Sequence, residues 1–127
     1  MDAQIDHIDT VYIGNMMSGS ANQQAQLGSL VADWIGQRFT DAFKVESACS
    51  SGGAAFRMGY LAVASGEVEI ALVLGVEKMT DSPGNEITAF LATAADADWE
   101  VDQGVSFVGL NALIMKRYMH GIWLERN

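Results

Sequence analysis

The hydrophobic positions in the first two thirds of the chain alternate between strand-like runs and a helical stripe. TVYI, at residues 10–13, is β-branched and aromatic and is followed by residues rich in Gly, Ser and Asn, which predicts a strand that ends in a loop. Apolar residues then recur at spacings of three and four within residues 21–39, which predicts an amphipathic helix capped by Ser20 or Asn22. FKVES, at residues 43–47, predicts a second strand.

A further helix and strand complete this pattern. Residues 50–65 predict a helix that ends at Gly66, and its many small and apolar residues are typical of a helix enclosed on most sides. IALVLGV, at residues 70–76, is apolar on both alternating faces, which predicts a parallel strand covered from both sides. The order strand, helix, strand, helix, strand predicts an α/β fold with a parallel sheet and right-handed crossovers.

The stretch after the third strand has a weaker pattern. Residues 78–104 carry the only proline and a group of acids, and they support at most one short helix, near residues 87–95. The acids DADWE and Asp102 lack the spacing of a metal-binding loop, so we expect a solvated acidic surface.

The last apolar segment predicts a closing helix. VGLNALIMKRYMHG, at residues 108–121, carries Lys116, Arg117 and His120 in its last turns, with Gly121 as the helix stop. These boundaries divide the chain into three parts. They are an α/β core at residues 1–80, a loop region at 81–104 and, in the same domain, a closing helix at 105–127.

Composition narrows the functional class. A chain of 127 residues with half of them apolar is sufficient for one domain with a core, and a formal net charge of -9 opposes binding to nucleic acid and to anionic lipid. No apolar run is long enough to cross a membrane. One cysteine excludes an internal disulfide and the N-terminus lacks the pattern of a signal peptide, so we expect a cytoplasmic protein.

Cys49 is the candidate catalytic residue. It lies where the second strand gives way to the second helix, and the amides and dipole of a helix N-terminus lower the pKa of a thiol placed there. Gly52 and Gly53 leave the first turn uncovered, so a substrate carbonyl would reach both the sulfur and backbone N–H groups that form an oxyanion hole. The alternative is that Cys49 packs as a small hydrophobic residue at a strand–helix junction.

Two linked motifs extend this prediction. ACSSGG at residues 48–53 and GVEKMT at residues 75–80 resemble the nucleophile segment of the thiolase family, most closely its archaeal and sterol-carrier types. The similarity extends over about residues 11–120, which is nearly the whole chain. β-Ketoacyl synthases share the A-C-S-S turn and are the alternative condensing enzymes, but the second motif favours a thiolase.

The resemblance implies a thiolase-like fold and an acetyl-CoA acetyltransferase reaction. In this family the cysteine that matches Cys49 takes an acyl group from acyl-CoA, and the enolate of a second acetyl-CoA displaces that group, or the reverse occurs. Coenzyme A thioesters are substrates and no metal or redox cofactor is involved. The family takes its histidine and its second acid/base from a C-terminal half, and this chain resembles an internal part of the N-terminal half. Negligible turnover by the chain alone is therefore expected, and a catalytically inactive folded domain is the alternative.

Five other charged or titratable residues lie near these motifs or towards the chain ends. We interpret His7 and His120 as solvated surface residues, because neither lies in a motif that matches the family's catalytic histidine. Glu46 lies on an extended segment and is interpreted as a strand or interface residue. We interpret Glu77 and Lys78, which follow a buried strand, as residues open to a structural pairing, and the motif match gives them no catalytic role.

The number of predicted helices also bears on assembly. Three helices hardly cover both faces of a parallel sheet, and by resemblance FKVES pairs with its twin across a two-fold axis. We therefore expect a homo-oligomer, or a companion chain that supplies the missing half. The alternative is a monomer in which residues 81–104 fold over the bare face.

Overall fold

A computed structural model describes residues 7–125, and contacts between residues divide the chain into two units, Met1–Asp81 and Ser82–Asn127. The elements of the first unit are β1 Thr10–Gly14, α1 Ser18–Ala21, α2 Leu27–Trp34, β2 Asp41–Val45, α3 Ser51–Ala64 and β3 Ala71–Gly75. Those of the second unit are α4 Gly84–Ala92, a π-helical turn at Ala97–Val101, and α5 Phe107–Glu125. The predicted assignment of the closing helix to the same domain as the core stays a prediction.

The three strands of the first unit form a parallel sheet in the order β2-β1-β3. This arrangement confirms the predicted α/β class and the predicted parallel pairing. The strands are in step, and Gly14 at the end of β1 aligns with Val45 of β2 and with Gly75 of β3. The carboxyl ends of all three strands therefore lie level, and the segments that follow them meet at one edge of the sheet.

The core lies around the central strand. Val11 and Ile13 of β1 are fully buried, and Met17 just after it is nearly so. On the other face of β1 the ring of Tyr12 stacks on that of Phe43, with centroids 5.4 Å apart. A central strand loses water on both sides, which explains why the buried residues concentrate there.

Two glycines let helices approach the sheet closely. A Cβ at Gly59 of α3 would lie 2.6 Å from Val73 Cγ2, and one at Gly28 of α2 would lie 2.8 Å from the carbonyl oxygen of Ala42. Both distances are too short for real contacts, so each position requires a residue without a side chain. α3 thus packs on β3 and β1, and α2 packs on β2.

The helix predicted within residues 21–39 is shorter than expected. α2 begins at Leu27 with Gln26 at the N-cap, and no side chain caps it, so the prediction of Ser20 or Asn22 as the cap is wrong. Ser20 and Asn22 belong instead to the single turn of α1 and its end. Gln23 adopts a φ of 54°, which interrupts the helix between these two elements.

The prediction that α3 is enclosed on most sides is wrong for the described residues. Its buried residues are Ser51, Ala55 and Gly59, which follow one another at intervals of four and form one face. Phe56 and Tyr60 are 68% and 57% exposed. β3 is also only half-buried, because it lies at the edge of the sheet with one strand neighbour. The first unit therefore presents large apolar side chains to solvent.

Glycine behaves differently at the ends of α3 and α5. Gly66 has a φ of 78° just after α3, which confirms it as the stop of that helix. α5 continues through Gly121 to Glu125, so the predicted stop is wrong, and Lys116, Arg117 and His120 do not lie in its last turn. Gly121 is not among the glycines with positive φ, and a helix tolerates such a residue at a cost of about 1 kcal/mol.

Asp9 ties the amino ends of β1 and β3 together. Its carboxylate accepts the N–H groups of Glu69 and Ile70, both at 2.9 Å, and its own N–H donates to the Ile70 carbonyl. The N–H groups of Ile70 and Glu69, with a smaller contribution from His7, hold the pKa of Asp9 below its ordinary value of 3.8.

Replacement of Asp9 with Asn is expected to destabilise the fold at neutral pH, and the difference from wild type should narrow in acid. A lowered folded-state pKa means that ionisation favours the folded state at pH above the ordinary value, and that this contribution is lost as pH falls through the folded-state pKa. Urea unfolding of both proteins over a series of pH values measures the difference in their free energies of unfolding. A difference that stays constant into acid would contradict a contribution of the Asp9 charge to stability.

Candidate active site

The turn between β2 and α3 holds its backbone in an unusual conformation. Ala48 has a φ of 46°, in the left-handed region that residues with a side chain rarely occupy. Its N–H donates to Glu46 Oε1 at 2.6 Å, and its carbonyl accepts the hydroxyl of Ser51 at 2.6 Å. The same Ser51 oxygen accepts the N–H of Ser47 at 2.9 Å. These bonds fix the turn that presents Cys49.

Cys49 is exposed and lies just before α3. The N–H of Ala54 donates to the carbonyl of Ser50 at 2.9 Å, which closes the first turn of the helix. The N–H groups of Gly52 and Gly53 come before that bond and have no hydrogen-bond acceptor among residues 7–125. Cys49 is therefore an exposed thiol at the N-terminus of α3. It is not packed as a small hydrophobic residue, which was the alternative interpretation from the sequence.

Cys49 opens onto a depression of about 290 Å³ at the carboxyl edge of the sheet. Cys49 and Gly52 form its helix side, and Gly14, Gly75 and Glu77 form its strand side. A parallel sheet collects its strand ends at this edge, which is the usual place for a ligand in such folds.

Glycines keep this site compact and open. A Cβ at Gly14 would lie 2.6 Å from both Gly52 Cα and the Ser51 carbonyl oxygen, so the end of β1 touches the start of α3. A Cβ at Gly52 or at Gly53 would meet nothing within 4 Å. The first glycine therefore allows close packing, and the other two leave the helix N-terminus uncovered, as predicted.

Asn15 and Glu77 join the segments that follow β1 and β3. Asn15 is 3% exposed, and its Nδ2 donates to the carbonyl of Val76 at 2.7 Å and to Glu77 Oε1 at 2.8 Å. Glu77 also accepts the N–H groups of Met16 and Met17, both at 2.9 Å. Three donors thus hold one carboxylate at the wall of the depression.

Asn15 was not among the residues predicted for the site, and the partner predicted for Glu77 was a different residue. The expected pairing of Glu77 with Lys78 is not found, because Lys78 Nζ instead contacts Asp81 Oδ2 at 2.5 Å. Their contact could have been predicted from position, because Asn15 and Glu77 each closely follow a strand of a parallel sheet. Polar residues at those positions meet at one edge.

Of the remaining candidates in the first unit, neither His7 nor Glu46 lines the depression that Cys49 shares. His7 lies 3.4 Å from Asp9, at the amino end of the sheet, and Cys49 lies at the carboxyl end. His120 is exposed on α5 of the second unit. Glu46 binds the N–H of Ala48 and lines a separate depression with Tyr12 and Phe43.

Residues 7–125 contain neither a cluster of metal ligands nor a helix that could span a membrane. No three His, Cys, Asp or Glu side chains in residues 7–125 come together as a metal site. No helix within those residues is long and apolar enough to cross a bilayer.

Comparison with known proteins gives the family. The model of the thiolase N-terminal domain matches residues 1–126. The acetyl-CoA acetyltransferase of Methanothermobacter thermautotrophicus is 44% identical over 113 residues, which cover 89% of this chain and 29% of the relative. The acetyl-CoA acetyltransferase of Methanocaldococcus jannaschii is 41% identical over 120 residues, covering 93% of this chain and 30% of the relative. The chain thus spans less than a third of the length of these relatives, and over that span it belongs to the thiolase family.

Proposed function

We propose that this chain carries the acylation site of a thiolase-type acyltransferase, with Cys49 as the nucleophile. The observation that supports this most is the placement of an exposed thiol at the N-terminus of α3, in a depression bordered by Gly52. Helix N-terminal amides stabilise negative charge, both on a thiolate and on the oxyanion of a tetrahedral intermediate.

The proposed reaction exchanges one thioester for another. The Cys49 sulfur forms a bond with the carbonyl carbon of acyl-CoA, the bond from that carbon to the CoA sulfur breaks, and CoA leaves with a proton as the free thiol. The carbon of an acetyl-CoA enolate then attacks the acyl group and frees Cys49, or the steps run in reverse. No oxidation state changes, so the reaction needs CoA thioesters as substrates and no redox cofactor.

A general base is the part that residues 7–81, the described part of the first unit, do not bring to Cys49. The Glu77 carboxylate is already engaged by three N–H donors, and His7 lies at the opposite end of the sheet. We therefore expect the base for the thiol and the acid/base for the second step to come from another thiolase segment. Thiol acylation by this chain alone should be slow, and complete turnover negligible.

The exposed apolar face of α3 supports a second proposal, that this domain works only within an assembly. Phe56 and Tyr60 are more than half exposed, and Met58, Leu61 and Val63 are between 44% and 46% exposed. Side chains of this kind on one helix usually mark an interface. A homo-oligomer or a companion chain that supplies the missing half would cover them. Light scattering that shows a clean monomer at all concentrations would contradict a homo-oligomer.

Incubation with acetyl-CoA tests the acylation step. Release of free CoA, together with a gain of one acetyl group on Cys49 by mass spectrometry, is the expected result. An exposed thiol that reacts with iodoacetamide no faster than free cysteine, and that takes no acetyl group, would leave only the catalytically inactive alternative.

Gly52→Ala is expected to raise stability and to slow acetylation. Alanine in the first turn of α3 stabilises the helix by about 0.5 kcal/mol, and its methyl group meets no neighbouring atom. The same methyl group borders the depression that Cys49 shares, so we expect acetyl transfer to slow by about threefold to tenfold. Chemical unfolding and the rate of CoA release measure the two effects.

Gly19→Ala is the matched control, because Gly19 lies in α1 and a Cβ there also meets nothing within 4 Å. It is expected to leave acetyl transfer unchanged. Equal rates in all three proteins would show that the open first turn has no part in the reaction.

A further inference from the structure

Glu77 places a negative charge at a fixed position in the depression that Cys49 also lines. Both residues line the depression of about 290 Å³ at the carboxyl edge of the sheet. The carboxylate oxygens of Glu77 accept N–H groups from the Asn15 side chain and from the backbones of Met16 and Met17, at 2.8, 2.9 and 2.9 Å. Glu77 is exposed, and a carboxylate held by three donors keeps one orientation even at the surface.

Among residues 7–125, no basic side chain lines the depression to balance this charge. The other lining residues are Gly14, Ala48, Cys49, Ser51, Gly52, Gly75 and Val76, which carry no lysine or arginine. The other acid near the turn, Glu46, faces a different depression with Tyr12, Phe43 and Met58. A group attached to Cys49 therefore has Glu77 as the charged residue in its own depression.

We infer that Glu77 is a specificity-determining residue of the Cys49 site, which disfavours acyl groups with negative charge and selects neutral ones. The inference rests on the proposed function, because it concerns the acyl group that Cys49 accepts. Thioesters of simple monocarboxylic acids fit this site, whereas those of dicarboxylic acids bring a second carboxylate against Glu77. Repulsion between two like charges within a depression of this size is expected to slow the reaction of Cys49 with a negatively charged group by about threefold to tenfold relative to a neutral one.

The test compares the reaction of Cys49 with iodoacetate and with iodoacetamide. These reagents alkylate a thiolate by the same displacement and differ mainly in charge, so the ratio of their rates cancels the thiolate fraction and the general access to the sulfur. Neither reaction needs an acyl-transfer step. Glu77→Gln removes the charge and keeps one oxygen as an acceptor for the N–H donors.

Two controls match the charge change. Asp9→Asn removes a carboxylate that also accepts two backbone N–H groups, but at the amino end of the sheet. Glu46→Gln removes the carboxylate that accepts the N–H of Ala48, the residue before Cys49, and that lines a different depression. All three variants raise the net charge by one, so a general effect of the charge of -9 on an anionic reagent appears in all of them.

Glu77→Gln is expected to raise the iodoacetate to iodoacetamide ratio by about threefold to tenfold at low salt, and about 1 M salt should remove most of the difference from wild type. The two controls, compared at a temperature and pH where circular dichroism shows that both are folded, should leave the ratio within about twofold of wild type. An unchanged ratio in Glu77→Gln, or an equal rise in either control, would overturn the inference.

Wild type provides a second measurement if Glu77→Gln does not fold. The ratio for the folded chain should lie at least about threefold below that for the chain unfolded in urea, and equal ratios would overturn the inference. CoA release from acetyl-CoA is scored separately. Absence of CoA release with the charge effect intact would contradict the proposed function and leave the electrostatic role of Glu77 standing.

Discussion

Cys49→Ser is expected to abolish acetyl transfer from acetyl-CoA, with a loss of at least about a thousandfold in the rate of CoA release. The serine hydroxyl nearly matches the thiol in size, but it stays protonated near neutral pH, and no described base lies beside it to activate it. Mass spectrometry after incubation with acetyl-CoA should find no acetyl group at residue 49.

The fold of this variant should be unchanged, because Cys49 is exposed and its side chain makes no hydrogen bond with residues 7–125. Circular dichroism and urea unfolding that match wild type would establish this. CoA release that continues at the wild-type rate would place the acyl acceptor at another residue and contradict the assignment of Cys49.

Gly14→Ala is expected to lower the free energy of unfolding by about 3 kcal/mol. The added Cβ would clash with backbone atoms, which cannot relieve the clash by changing rotamer as a side chain can. The Cβ would lie 2.6 Å from Gly52 Cα, 2.6 Å from the Ser51 carbonyl oxygen and 2.7 Å from Gly52 N. Either β1 or the start of α3 has to move, and the second choice displaces Cys49. Urea unfolding measures the loss of stability.

Gly75→Ala is the matched control for stability. Gly75 aligns with Gly14 across the sheet at the same carboxyl edge, but a Cβ there meets nothing within 4 Å. Its replacement should change the free energy of unfolding by no more than about 0.5 kcal/mol. If Gly14→Ala were as stable as Gly75→Ala, the close contact between β1 and α3 would be absent in solution.

Local patterns predicted the elements of the first unit well. The β-branched and apolar runs located β1, β2 and β3 within about two residues of their observed bounds, because side-chain alternation and strand propensity are local properties. Gly66 marked the end of α3 because its left-handed conformation is a local requirement. The sequence likewise placed Cys49 at a helix N-terminus, since the strand-to-helix transition is visible in the residue types.

The predictions were wrong where tertiary contacts or weak local preferences determine where a helix begins or ends and how deeply it is buried. α2 starts late because Gln23, shortly before it, has a positive φ. Glutamine rarely adopts a positive φ, so the residue type does not predict this conformation. Gly121 lacks the left-handed conformation that would end α5, and composition does not reveal this. The apolar character of α3 predicted burial, but burial depends on what else is present to cover the helix.

By itself, the sequence determined the class of the fold, the family motifs and the location of the one thiol at a strand–helix junction, because each depends on residues adjacent in the chain. The tertiary structure alone decided which groups surround that thiol. Gly14 touches Gly52, and Glu77 holds the segment after β1, across separations of 38 and about 60 residues. Such contacts exist only once parallel pairing brings three strand ends to one edge, and no local pattern encodes the register of that pairing.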